Sequence, residues 1–161
     1  MQLIEFQLLF LIIVANGAPI LGTALLGKWC AWPVDGGCIL ADGYRLLGDS
    51  KTWRGILLAM TATAVMAWLL DLPTYMGLTI GSFAMLGDIV SSFIKRRLGM
   101  ASSSMALGLD QTLESLLPLL AVKHAFEIDW PVVLEMVAGF MILELALSRI
   151  LYLLRVRTHP Y

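Results

Sequence analysis

The sequence predicts an all-α integral membrane protein: five transmembrane helices in one domain over residues 1–161, with the N-terminus outside, the C-terminus cytoplasmic and two cytoplasmic loops. Three observations lead there. Hydrophobic residues make up 59% of the 161 and charged residues only 14%, whereas a soluble domain carries about 45–50% and about 25%; the mean hydropathy is +0.83. Apolar stretches approaching the length needed to cross a hydrocarbon core, about 20 helical residues for roughly 30 Å, recur five times. Ten of the eleven Lys and Arg fall on one side if five helices alternate, and short basic loops are retained in the cytoplasm. A net charge of −1 gives no footing for a nucleic-acid-binding surface.

The first helix covers about Gln7–Leu26, has no charge between Glu5 and Lys28, and carries Asn16-Gly17-Ala18-Pro19 inside it. Proline frees a backbone carbonyl, and in a membrane that break requires protein or water to satisfy the group. A structural break and a cavity wall are both consistent with it. The second helix runs over about Gly55–Leu70. Asp71-Leu72-Pro73-Thr74 then makes a tight polar turn, because proline disfavours helix in the residue before it, and a third helix continues to about Ile94, completing a helical hairpin. The fourth, about Gln111–His124, is short, carries Glu114 and Pro118, and starts in the interfacial region. The fifth runs from Pro131 to about Leu154.

Lys28, Arg45, Lys51 and Arg54 follow the first helix; Lys95, Arg96 and Arg97 follow the third; Arg149, Arg155 and Arg157 close the fifth. Lys123 lies opposite, beside Glu127 and Asp129. The cytoplasmic loops are therefore residues 28–54 and 95–110. No basic segment precedes the first apolar run, so no cleaved signal peptide is expected. Cys30 and Cys38 match no zinc or redox spacing and are expected to be free thiols in a reducing compartment.

Asp88, Ser92 and Lys95 stack on one helical face at i, i+4 and i+7. Asp88 lies about two turns, roughly 10 Å, inside the end of the third helix, where a carboxylate needs a cation or water. It is either one half of an ion pair with Lys95 or an arginine, or a metal ligand at the mouth of a polar cavity ringed by cations that suit phosphates. Asp110 opens the fourth helix with Glu114 one turn further on the same face; capping alone explains an acid there. Two carboxylates on one side of the membrane beside Lys95, Arg96 and Arg97 are also what magnesium-assisted phosphoryl or nucleotidyl transfer requires.

The first loop is glycine-rich and alternates charge through Asp35-Gly36-Gly37, Asp42-Gly43-Tyr44-Arg45 and Gly48-Asp49-Ser50-Lys51-Thr52-Trp53-Arg54-Gly55. Glycines permit close backbone approach to a ligand, and a helix start favours anions, so a triphosphate fits near Lys51 and Arg54. Both also serve as topological anchors, with Trp53 as an interfacial aromatic. Glu144 falls roughly 20 Å into the fifth helix, where a buried partner or a cavity wall would accommodate it.

These segments resemble one family, the archaeal CDP-archaeol synthases and their bacterial relatives, distant relatives of the phosphatidate cytidylyltransferases. The matching pieces are Ala15-Asn16-Gly17-Ala18-Pro19, Asp42-Gly43 through Gly48, Lys51-Thr52-Trp53-Arg54-Gly55, Gly87-Asp88, Ser92-Phe93-Ile94-Lys95-Arg96-Arg97-Leu98-Gly99 and Asp110-Gln111. The resemblance implies transfer of CMP from CTP to a membrane lipid phosphate of ether-lipid or phosphatidic-acid type, releasing pyrophosphate, with Mg2+. Carried over by position, it implies Asp88 and Asp110 as metal ligands and Asp88, Lys95, Arg96 and Asp110 as the catalytic set. Asn16, Asp42, Lys51, Thr52, Arg54, Ser92 and Arg97 would contact the substrates. No histidine base is required, because a phosphate monoester is largely ionised near neutral pH, its second pKa being about 6; His124 and His159 lie outside both loops. Two departures stand out: Leu113 occupies a position typically acidic in the family, with Glu114 beside it, and Met100–Met105 replaces a stretch typically containing proline.

Two other classes are weighed. Asp42-Gly43 suggests a CDP-alcohol phosphatidyltransferase, but Leu46 and Leu47 stand where its signature has Ala-Arg, and the downstream paired aspartates are missing. A small membrane transporter or scaffold would carry polar groups near the midplane, reachable from both sides; Glu144 alone favours it. The expected partners are CTP and a lipid phosphate in the bilayer of the cell (inner) membrane, with the site facing the cytoplasm. The sequence leaves the oligomeric state open.

Overall fold

The computed structural model describes residues 3–102 and 104–153. Five helices form: α1 (Leu3–Leu26), α2 (Trp53–Leu69), α3 (Thr74–Arg97), α4 (Leu109–Val122) and α5 (Trp130–Leu153). Arg155, Arg157, His159 and the expected helix end at Leu154 lie outside the described residues.

The five expected helices are present, and among the described residues three of them, α1, α3 and α5, are long and apolar enough to cross a membrane, while α2 is a shorter apolar helix. With 14 residues α4 reaches only about 21 Å at 1.5 Å per residue. Pro19 does not break α1, which stays helical through it; Asn16 Nδ2 donates to the Ile12 carbonyl at 3.0 Å.

α3 is the hub of the bundle, packing against α1, α2 and α4, whereas α5 packs only on α4 and α1. The buried core joins Leu8, Leu11 and Ile12 of α1 to Ile80, Leu119, Met136 and Phe140. Small residues bring α3 close to α2: a Cβ on Gly77 would stand 2.4 Å from the Thr63 carbonyl oxygen, far inside van der Waals contact. The α2–α3 connection is the predicted tight turn, with Asp71 in the left-handed region at φ 57°.

Residues 28–52 fold without a helix or extended sheet, carrying the isolated bridges Pro33–Thr52 and Ile39–Arg45. Asp35 organises them. Its side chain has no solvent exposure and accepts from Arg45 Nη2 at 2.6 Å and from the backbone N–H groups of Gly37, Leu47 and Gly48 at 3.0–3.1 Å. Burial alone would raise the carboxyl pKa, but Arg45 and these three amides outweigh it and hold it well below the usual carboxylate range. Asp35 and Asp49 in turn raise the Arg45 guanidinium above its ordinary value, against a smaller opposing effect of burial.

Because the folded Asp35 value is depressed, its stabilisation is fully present above the unfolded value of about 3.9 and is lost only as pH falls through the folded one. Asp35→Asn is expected to cost about 1.5–3 kcal/mol and to expose residues 36–46 to limited proteolysis at neutral pH; wild type should resist the same protease down to about pH 4.

Candidate functional site

Both loops lie at one end of the bundle, where they cover a polar cavity of about 100 Å³. The first loop contributes Leu47, Ser50 and Lys51; α3 contributes Asp88, Ser92, Lys95 and Arg96; residues 104 and 105 add Ser104 and Met105; α4 adds Asp110, Gln111 and Glu114; and α5 adds Glu144. Helical spacing explains the α3 and α4 sets, since Asp88, Ser92 and Lys95 follow the i, i+4, i+7 face and Asp110 and Glu114 are one turn apart. Gln111 reaches back to the N-terminus of its helix, its Oε1 accepting from Gly108 N at 2.8 Å.

Two ion pairs cross the cavity. Lys51 Nζ lies 2.5 Å from Asp88 Oδ1, with side-chain exposures of 19% and 20%. Lys95 Nζ lies 2.9 Å from Asp110 and donates to the Ser104 carbonyl at 3.0 Å; Asp110 also accepts from Ala106 N at 3.0 Å. Arg96 Nη2 donates to the Ala101 carbonyl at 2.6 Å. Burial disfavours the Lys51 ammonium, but Asp88, Glu114 and Asp110 together outweigh it and keep its pKa above the ordinary lysine value.

The Glu114 carboxyl is within hydrogen-bonding reach of Asp88 and within electrostatic reach of Lys51 and Glu144. This contact is possible because α3 and α4 touch at Gly87, where a Cβ would lie 2.3 Å from the Leu113 carbonyl oxygen. Two buried carboxylates side by side repel unless a proton or a cation joins them, so either a shared proton or a divalent ion can sit between Asp88 and Glu114. Among the described residues no three His, Cys, Asp or Glu side chains converge as a complete ligand cage. Magnesium usually takes one or two carboxylates and completes its shell with water and substrate phosphates. Arg96 Nε and Gln111 Nε2 are buried donors with no hydrogen-bond partner among the described residues, available to a bound anion.

The expected residues divide. Asp88, Asp110, Lys51, Ser92, Lys95 and Arg96 come together on the cavity; Asn16, Asp42, Thr52, Arg54 and Arg97 do not line it. Thr52 is the N-cap of α2, its hydroxyl accepting from Gly55 N. Arg54 donates to the Gly27 and Trp29 carbonyls, tying the end of α1 to the start of α2. Arg97 turns to Asp42 and the Arg45 carbonyl, with its guanidinium 5.3 Å over Phe93.

Ion pairing also differs from expectation. Asp88 takes Lys51, 37 residues away, rather than Lys95. Asp110 is held by Lys95, and Glu114 rather than Asp110 sits beside Asp88. Glu114, Gln111, Ser50 and Glu144 line the cavity beyond the candidate set. A carboxylate deep in an apolar helix was the available signal for Glu144, and the shared face with Asp110 was the signal for Glu114; Ser50 offers none. Cys30 and Cys38 are free thiols.

The CarS-like CDP-archaeol synthase family matches residues 1–161. A CDP-archaeol synthase of Pyrobaculum arsenaticum is 35% identical over 163 aligned positions, covering 97% of this chain and 96% of its own. One from Aeropyrum pernix is 39% identical, covering 80% and 78%. A solved structure of an intramembrane enzyme for archaeal membrane lipids biosynthesis superposes with a TM-score of 0.73 at 33% identity, covering 88% of this chain and 90% of that one.

Breaking one half of a largely buried pair leaves the other charge uncompensated, at about 3–5 kcal/mol when burial is complete. With Lys51 and Asp88 about one-fifth exposed, Lys51→Met is expected to destabilise toward the lower end of that range. Lys51→Met combined with Asp88→Asn should recover at least half of the loss, measured by thermal unfolding in detergent.

Proposed function

The chain belongs to the CDP-archaeol synthase family, and on that premise we propose that it transfers CMP from CTP to an ether-lipid phosphate, giving a CDP-activated lipid and pyrophosphate. The observation that carries this reading is the cavity itself: Lys51, Lys95 and Arg96 beside Asp88, Glu114 and Asp110, at the end of a bundle whose long helices are apolar enough to lie in lipid. The basic residues of both loops support placing that end in the cytoplasm, where CTP is supplied.

A phosphate oxygen of the lipid attacks the α-phosphorus of CTP as the bond to the pyrophosphate oxygen breaks. The attacking dianion needs no general base, in keeping with a cavity wall that has no histidine among its lining residues. At about 100 Å³ the cavity is too small for a whole nucleotide, so it would take phosphates and leave the nucleoside outside. Lys95 and Arg96 would exchange their carbonyl contacts for phosphate oxygens and neutralise the leaving group; Lys51 would hold the α-phosphate over Asp88. Asp88 and Glu114 would hold Mg2+, which would supply charge stabilisation for the departing pyrophosphate. Asp110 would fix the Lys95 ammonium in place. Glu144, the residue that would favour a transporter, lines this same cavity.

Purified protein in detergent with CTP, Mg2+ and an archaeal-type ether-lipid phosphate should release pyrophosphate and form a CDP-lipid by mass spectrometry, with phosphatidic acid as the poorer acceptor; no release from either lipid overturns the proposal. Chelating divalent ions and Asp88→Asn should each abolish turnover with the fold intact, and Lys95→Met should lower kcat by about 10²–10³-fold.

A further inference from the structure

At Gly87, α3 and α4 approach closely beside the cavity. An added Cβ would stand 2.3 Å from the Leu113 carbonyl oxygen, 2.6 Å from its carbon and 3.0 Å from Glu114 Cα. All three are backbone atoms, so no side chain can swing aside. Restoring ordinary contact distance, about 3.5 Å, requires the helices to separate by about 1 Å. The residues at this contact are Asp88, next to Gly87 on α3, and Glu114 on α4, and both line the cavity. Their separation is therefore tied to a backbone contact, while both side chains are held in a buried, polar site rather than in solvent.

We propose that the Gly87 contact sets the gap between Asp88 and Glu114 and that this gap selects a small divalent cation over a large one. Gly87 is a positioning residue, acting through the two carboxylates, and the inference rests on the metal reading given above. Magnesium–oxygen distances are about 2.0–2.1 Å and demand near-octahedral geometry, whereas calcium takes about 2.3–2.6 Å in a looser shell. Two such bonds span the gap, so the two ions differ across it by about 0.4–1.2 Å; a widening of about 1 Å is of that size and should penalise magnesium and be tolerated by calcium.

Gly77 supplies an internal control. On the same helix, about 15 Å away at 1.5 Å per residue, a Cβ there would stand 2.4 Å from the Thr63 carbonyl oxygen and 2.8 Å from Ala64 Cα. The steric insult matches that at Gly87, but it falls on α2 and away from the carboxylates.

The test is a binding measurement without turnover. Affinity for a CTP analogue with a methylene bridge between the α- and β-phosphorus is measured against Mg2+ and against Ca2+ concentration, and the ratio of the two half-saturating values is compared. Gly87→Ala is expected to move the ratio toward calcium by about tenfold. Gly77→Ala should lower the thermal midpoint to a similar degree and leave the ratio unchanged. The same ratio in Gly87→Ala and Gly77→Ala overturns the proposal. Where Gly87→Ala gives no folded protein, Glu114→Asp withdraws one carboxyl by about 1.5 Å, a carbon–carbon bond length, without moving a helix; it should shift the ratio in the same direction, and an unchanged ratio overturns the proposal. Wild-type affinity for the analogue that is indifferent to both cations overturns the metal reading itself, and this inference with it.

Discussion

Charge inside an apolar bundle must be matched, and the pairing of Lys51 with Asp88 is where that constraint shapes the whole molecule. A carboxylate two turns inside a helix cannot remain ionised without a partner. The partner here comes from a loop rather than from the neighbouring turn, so the first loop is fixed over the end of α3. Lys95 does the same for residues 104–110 through Asp110 and the Ser104 carbonyl. One electrostatic requirement thus closes two loops over one cavity and leaves the remaining acid, Glu114, against Asp88.

The division of the arginines follows from where packing places them rather than from side-chain chemistry. A guanidinium serves phosphates and backbone carbonyls with the same planar fork, so chemistry alone does not separate Arg96, on the cavity, from Arg54 and Arg97, which knit backbone segments together. Arg54 gathers carbonyls left without partners beyond the end of α1. Its neighbour Thr52 caps α2. The run Lys51–Gly55 therefore combines one residue that faces the cavity with others that orient it.

The helical hairpin with its turn at Asp71, and the face shared by Asp88, Ser92 and Lys95, were legible because both depend on local spacing. Which cation meets which carboxylate was not, since Asp88 and Lys51 are 37 positions apart and only the packing of α3 decides it. The contact between Asp88 and Glu114 was likewise invisible: it depends on α4 abutting Gly87, and a glycine in an apolar helix does not announce what lies against it. Asn16 and Pro19 suggested a break in α1, yet tertiary packing kept the helix continuous. The fourth helix was legible as short and opening on acids, which belong to the cavity.

The reach of the Lys51–Asp88 pair also carries a temporal meaning. A chain that inserts from its N-terminus presents Lys51 before the helix bearing Asp88 exists, and Asp42 before Arg97. The first loop can close on Asp35 by itself, because every partner of that carboxylate lies within 13 residues of it. Its docking on the bundle must wait for α3. In that order of synthesis the first loop would form as a small cap and dock only once the third helix is in place.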